Sequence, residues 1–139
     1  VRSVARINLA NGDMVGHTGV HDAAIRAVES VDQHLGRLLK VVETAGGVAL
    51  VTADHGNCEE MYERDKKTGV FARRADGSLK PKTSHTTNMV PFSLFDPHGQ
   101  VKCTIGQTLE APSLANIAAT TFELLGLAPP EDYERSLLD

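Results

Sequence analysis

Residues 21–52 read HDAAIRAVESVDQHLGRLLKVVETAGGVALVT. Apolar side chains recur at Ala24, Val28, Val31, Leu35, Leu38 and Val42, and Ala27 and Leu39 widen the stripe. Arg26, Glu29, Gln33, Arg37 and Lys40 line the opposite side. This spacing of three and four predicts an amphipathic helix from about residue 21 to residue 45, lying on a sheet by one face. Gly46-Gly47 predicts a left-handed C-terminal cap. The run Val48-Ala49-Leu50-Val51-Thr52 follows at once, and a short unbroken apolar segment of this kind fits a strand buried on both faces. On the other side of the helix, residues 4–10 alternate, with Val4, Arg6, Asn8 and Ala10 against Ala5, Ile7 and Leu9, which predicts a second strand. Gly12, Gly16 and Gly19 lie between them and read as a loop running into the helix. Strand, helix, strand is the parallel crossover of an α/β fold.

Further along, residues 62–84 hold seven Lys or Arg, two Gly and the turn dipeptide Asp76-Gly77, the signature of an exposed hairpin excursion. Its Lys66, Lys67, Arg73, Arg74, Lys80 and Lys82 form a solvated face, with contact to a phosphate as the alternative. Val90, Phe92 and Leu94 then alternate with Pro91 and Ser93, a strand that Pro91 places at an edge or at its start. A last helix is capped by Ser113, carries a buried stripe of Leu114, Ile117, Ala118, Thr121, Phe122 and Leu125, and closes at Gly126.

The 139 residues allow one domain at most, and 41% hydrophobic with 23% charged residues is an ordinary globular composition. A formal charge of −4 argues against a surface that neutralises many nucleic-acid phosphates. No stretch is long and apolar enough for a membrane helix, and the first residues lack the apolar region of a signal peptide. Cys58 and Cys103 make no disulfide framework, which fits a reducing, cytoplasmic setting. An opening Val rather than Met fits a fragment of a longer protein.

Three segments are rich in metal-ligand types: Asp13 and His17 at i, i+4, the adjacent pair Asp54-His55, and His85. The first two follow expected strands, and ligands of open α/β sheets bind beyond the carboxyl ends of strands. Neutral imidazole with carboxylate suits a divalent ion such as Mn2+ or Zn2+, and the absence of cysteine pairs removes a structural zinc site. Each residue alone could be a turn former or a helix cap, but five together at strand edges point to a site. The diverging side chains of Asp54 and His55 could serve one ion or two, Gly56 lets the backbone turn away, and Asn57 could orient a ligand through a hydrogen bond. Two ions a few ångström apart stabilise attacking and leaving oxygens in phosphoryl transfer. His21, His34 and His98 suit surface or boundary roles, and Cys58 a small buried hydrophobe.

The strings Asp13-Met14-Val15-Gly16-His17-Thr18-Gly19, Thr52-Ala53-Asp54-His55-Gly56-Asn57 and Ser84-His85-Thr86, followed by Val90-Pro91-Phe92, resemble C-terminal motifs of the cofactor-independent (2,3-bisphosphoglycerate-independent) phosphoglycerate mutases, within the alkaline phosphatase superfamily. The resemblance covers nearly the whole chain. It implies an α/β fold, an alkaline-phosphatase-like sheet flanked by helices, of which residues 1–139 are the C-terminal part of the metal-binding domain. It further implies interconversion of 3-phosphoglycerate and 2-phosphoglycerate in glycolysis through a phosphoserine intermediate and two divalent ions. Mn2+ is the first choice, with Zn2+, Co2+ or Mg2+ as alternatives. By motif match Asp13, His17 and His85 hold one ion, and Asp54 and His55 contribute to the other. The nucleophilic serine, the catalytic lysine and the substrate-binding residues of the family match nothing here, so the 139 residues are expected to be inactive alone. The stretch 132–137 departs from the commoner family tail. The implied partner is the small-molecule phosphoglycerate, with no nucleic acid and no membrane, and the full-length family member is expected to be a monomer. Phosphopentomutase or a metal-dependent phosphatase of the same superfamily is the enzymatic alternative; a non-catalytic metal-binding module is the other.

Overall fold

The computed structural model describes residues 4–102 and 109–138; Cys103 lies outside them. The elements in chain order are α1 (Asn11–Gly16), α2 (His21–Thr44), β1 (Ala49–Thr52), β2 (Phe92–Phe95) and α3 (Asn116–Leu124). The mixture of helices with a sheet agrees with the α/β expectation.

The 24-residue α2 matches the apolar stripe to within a residue at its C-terminal end. Gly46 follows its C-cap at φ +66°, a left-handed conformation that costs a side-chain-bearing residue about 1–2 kcal/mol. There the Gly47 N–H donates to the Val42 carbonyl at 2.9 Å and the Gly46 N–H to that of Glu43 at 3.0 Å, the paired bonds of a Schellman cap. The same pair closes α3, from Leu127 to Phe122 and from Gly126 to Glu123. Side chains from the turn after β2 complete the end of α2: His98 Nε2 lies 2.9 Å from the Glu43 carbonyl oxygen, and Gln100 donates to that of Gly46 at 3.0 Å. Carbonyls with no intrahelical partner are thereby satisfied.

Beyond α2 the arrangement departs from the sequence pattern. Residues 4–9 form no strand: Val4 is 65% and Ile7 59% exposed, and no described segment pairs with them. Alternation specifies a strand only where a neighbour takes its hydrogen bonds and a core takes its apolar face. Without that first strand the described residues contain no parallel crossover. Instead β1 pairs antiparallel with β2 in a two-stranded sheet, with Ala49 opposite Phe95 and Thr52 opposite Phe92. β1 is half-buried rather than covered on both faces. β2 begins directly after Pro91, whose carbonyl accepts the Thr52 hydroxyl at 2.9 Å.

The expected loop at 11–19 contains α1, a single turn and a half packed on α2, with Asp13 in its first turn, where the helix dipole favours an anion. The excursion at 62–84 doubles back twice. Ala72 donates to Glu63, Lys80 to Ala72 and Glu63 to Lys80, each at 2.9 Å, so three short segments bond one another in a ring.

In α3 the buried face is Asn116, Ala119 and Thr120, not the predicted apolar stripe; Leu114 is 42% exposed and Ala118 is exposed. Ser113 accepts from the Ala115 N–H ahead of the helix rather than capping it. The polar face is chosen by the tail. The Asn116 amide donates to the Arg135 carbonyl at 2.7 Å, and the fully buried Thr120 hydroxyl accepts the Leu137 N–H at 2.8 Å, seating the buried Leu137 and Leu138.

Candidate metal centre

α1 carries Asp13 and His17 one turn apart, so both side chains leave the same face. The segment 83–86 passes alongside. The His17 ring nitrogen Nδ1 is 2.7 Å from the Thr83 carbonyl oxygen. Only a protonated nitrogen can make that bond, so in the neutral ring Nε2 holds the lone pair. It lies 3.0 Å from His85 Nε2 and 3.2 Å from Asp13 Oδ1, and His85 Nε2 lies 3.0 Å from the same carboxylate oxygen. Two imidazole nitrogens and a carboxylate oxygen thus converge, all partly exposed, with one ligand atom each within 4.8 Å of the others. Electron pairs at this spacing need a shared proton or a cation, and the nitrogen-oxygen donor set suits a borderline divalent metal.

Asp13 is held ready for that role. Asn57 donates to its Oδ1 at 2.8 Å and also reaches its backbone carbonyl at 3.3 Å. That bond holds the Asp13 carboxyl below the usual aspartate range; burial opposes it, and His17, His85 and His55 add to it. Gly16 makes room for Asn57, because a Cβ at 16 would collide with the Asn57 side chain and lie 3.0 Å from Cys58 Sγ.

The remaining sequence candidates are divided by the structure. His55 stacks on His85 with ring centroids 3.6 Å apart and an interplanar angle of 20°, and its Nδ1 is 3.9 Å from Asp13 Oδ1. Asp54 stands apart: its side chain is 87% exposed and 3.7 Å from His55 Nε2. The structure therefore brings Asp13, His17 and His85 together with His55 against them, and leaves Asp54 at the rim. His21 stacks on Tyr62 at 5.8 Å, and His34 bonds the Ser30 carbonyl on its own helix. Cys58 is half-buried and its thiol donates to the Gly12 carbonyl at 2.7 Å. Burial pushes the thiol's pKa up, as do Glu59 and Asp13, against a backbone N–H from Gly16.

Sequence reading passed over Glu59, Thr83 and Thr86. Glu59 accepts the Asn57 N–H at 2.6 Å, the Asn88 amide at 3.0 Å and the Thr86 hydroxyl. Burial raises its pKa, but these hydrogen bonds outweigh it and keep the carboxyl below the usual glutamate range. The position of Glu59, Thr83 and Thr86 beside the D-H-G-N and S-H-T strings does not say what they hold, because their partners come from other segments of the chain.

Comparison with known proteins gives a consistent picture. Residues 2–129 match the model of the Metalloenzyme superfamily. The chain is 47% identical over 133 residues to a Leptospira interrogans protein named a probable 2,3-bisphosphoglycerate-independent phosphoglycerate mutase. It is 47% identical over 138 residues to the Trypanosoma brucei brucei 2,3-bisphosphoglycerate-independent phosphoglycerate mutase. Each match takes in 96% of this chain and 24% of the relative, so the chain spans about a quarter of the length of the curated relatives it matches. A crystal structure of Leishmania mexicana phosphoglycerate mutase at low cobalt concentration superposes with a TM-score of 0.88 at 46% identity, over 96% of this chain and 24% of that one.

Proposed function

Because this chain belongs to the Metalloenzyme superfamily, we propose that it is part of the metal-binding domain of a 2,3-bisphosphoglycerate-independent phosphoglycerate mutase. Such an enzyme is an isomerase that interconverts 3-phosphoglycerate and 2-phosphoglycerate. The observation that carries this is the convergence of Asp13 Oδ1, His17 Nε2 and His85 Nε2 within 3.2 Å, on the motifs shared with the mutases. Asp13, His17 and His85 hold one divalent ion, and Asp54 and His55 contribute to a second, with Mn2+ as the first choice. Two bound divalent ions supply electrostatic stabilisation to the attacking and leaving oxygens of phosphoryl transfer.

The chain's own residues prepare that site. Thr83 fixes the His17 tautomer so that Nε2 faces inward, and Asn57 keeps the Asp13 carboxylate ionised and aimed. The exposure of Asp54 leaves it accessible to residues contributed from elsewhere in a longer protein. The nucleophilic serine and the substrate-binding groups belong to that remainder, so residues 1–139 by themselves do not turn over. The setting is cytoplasmic glycolysis, the partner is the phosphoglycerate, and the longer protein acts as a monomer without nucleic acid or membrane. No helix among the described residues is long and apolar enough to cross a membrane.

Calorimetric titration with Mn2+ tests the ligand set. His85→Ala should weaken uptake by about tenfold or more, and an unchanged titration would count against the assignment. Mutase assays on a protein that joins this chain to the remainder test the activity, which EDTA should abolish. Preference for a pentose phosphate, or simple ester hydrolysis, would leave the superfamily standing and remove the mutase.

A further inference from the structure

We infer that Glu59 is a positioning residue that clamps together the two loops bearing His55 and His85, an inference resting on the metal reading above. One Glu59 oxygen accepts the Asn57 N–H at 2.6 Å, from the loop 54–57. The other accepts the Thr86 hydroxyl and, at 3.0 Å, the Asn88 amide, from the loop 85–88. Between the same loops the Thr86 N–H donates to the Gly56 carbonyl at 2.9 Å, making Gly56 and Thr86 a bridged antiparallel pair. His55 and His85 are the residues immediately before that pair. In an antiparallel pair these two positions are diagonal neighbours on one face, within reach of ring side chains, and their rings stack at 3.6 Å. The clamp also reaches α1, because the residue whose N–H Glu59 accepts is the one whose side chain bonds Asp13.

An ionised carboxylate suits this position because three donors converge on two oxygens and none needs a proton in return. In Glu59→Gln one oxygen becomes an NH2 group and must face either the Asn57 N–H or the Thr86 and Asn88 donors. Facing Asn57, the NH2 group meets an N–H and that contact is lost; facing Thr86 and Asn88, it keeps contact only if the hydroxyl and the amide turn their oxygens toward it. In either case the charge-assisted bonds are gone while the volume is kept. Glu59 touches no ligand nitrogen or oxygen itself; it acts through the backbone that carries them.

The test compares the full chain with its Glu59→Gln variant by Co2+ titration, followed in visible absorption, and by amide hydrogen exchange in the metal-free state. Co2+ affinity should fall about tenfold, the absorption bands should change shape, and the Asn57 and Thr86 amides should exchange faster while that of Ala24 in α2 does not. Glu60→Gln, a neighbouring carboxylate paired with Lys82 at 2.9 Å, should leave all three readings unchanged. Equal Co2+ affinity in Glu59→Gln and parent overturns the positioning role, even if exchange quickens, because the contact would then be structural only. Failure of the parent to take up Co2+ overturns the metal reading, and the role of Glu59 with it. Uptake by the parent with unaltered uptake by Glu59→Gln sinks the Glu59 role alone. If circular dichroism shows Glu59→Gln unfolded, Thr86→Ser and Thr86→Val decide: the valine variant should lose affinity and the serine variant keep it, and equal affinities overturn the inference.

Discussion

Asn57 ties two sides of the site together: its amide holds Asp13, and its backbone N–H is held by Glu59. Replacing Asn57 by Ala frees the Asp13 carboxylate to rotate and opens the space that Gly16 reserves. Mn2+ affinity measured by calorimetry should drop about tenfold, and an unaltered affinity would show that the carboxylate needs no such support. Asp65 shows the same logic away from the site. Its carboxylate accepts from the Thr68 N–H at 2.8 Å, the Thr68 hydroxyl at 3.0 Å and the Lys67 N–H at 3.0 Å, and these bonds, the one from the Thr68 N–H foremost, hold its pKa below the ordinary aspartate value. A depressed folded pKa means that the stabilisation is fully present above the unfolded value of about 3.9 and is lost as pH falls through the lower, folded one. In an NMR titration Asp65 should therefore be among the last carboxylates to protonate, and Asp65→Asn should weaken the turn at neutral pH and flatten its acid dependence. Of these residues, Asp13, His17 and His85 were legible because ligand types stand out in a sequence. Glu59 and Thr83 were not, since a carboxylate or a carbonyl acquires its role only from what folds against it.

Among the elements, α2 was readable because its caps and its stripe are local: spacing sets the buried face, and Gly46 supplies the left-handed residue after the helix. α3 was misread because its buried face is decided by a distant segment. Thr120 is fully buried and accepts the Leu137 N–H while donating to the Asn116 carbonyl, so it is both a helix residue and the anchor of the tail. Thr120→Val keeps the shape and strands the Leu137 N–H in a buried place. It should cost about 1–3 kcal/mol, read as a shift in the denaturation midpoint, whereas Thr121→Val, in a half-buried site, should cost less. A neutral result at Thr120 would mean that the tail does not contribute to folding. The segment 4–9 failed for the complementary reason, since a strand needs a neighbour to take its hydrogen bonds.

For the whole molecule, exposed area is the informative quantity. A compact monomer of 139 residues exposes about 7,000 Å2, whereas this chain exposes 10,103 Å2. The excess is partly apolar: Ile25 and Val28 on α2 are 46% and 48% exposed, Met14 66% and Val41 65%. Only six hydrophobic residues among those described are buried. Such surface favours association. In light scattering the 139-residue chain alone should show a mass that rises with concentration, and joining it to the remainder of a mutase should abolish the rise. A strictly monomeric chain at every concentration would contradict this. The match to only 24% of each relative agrees with the same excess.

Local pattern was enough for the long helix and its cap, the strand after it, the family, and which residue types are suited to a metal. Those depend on spacing and on side-chain chemistry, which are properties of short stretches of chain. The tertiary structure decided that Asp13, His17 and His85 meet while Asp54 stays at the rim, that β1 pairs with β2, and that Asn116 and Thr120 form the buried face of α3. Each of those outcomes depends on which distant backbone donor or acceptor arrives beside a given side chain, and on which apolar faces find a partner to cover them.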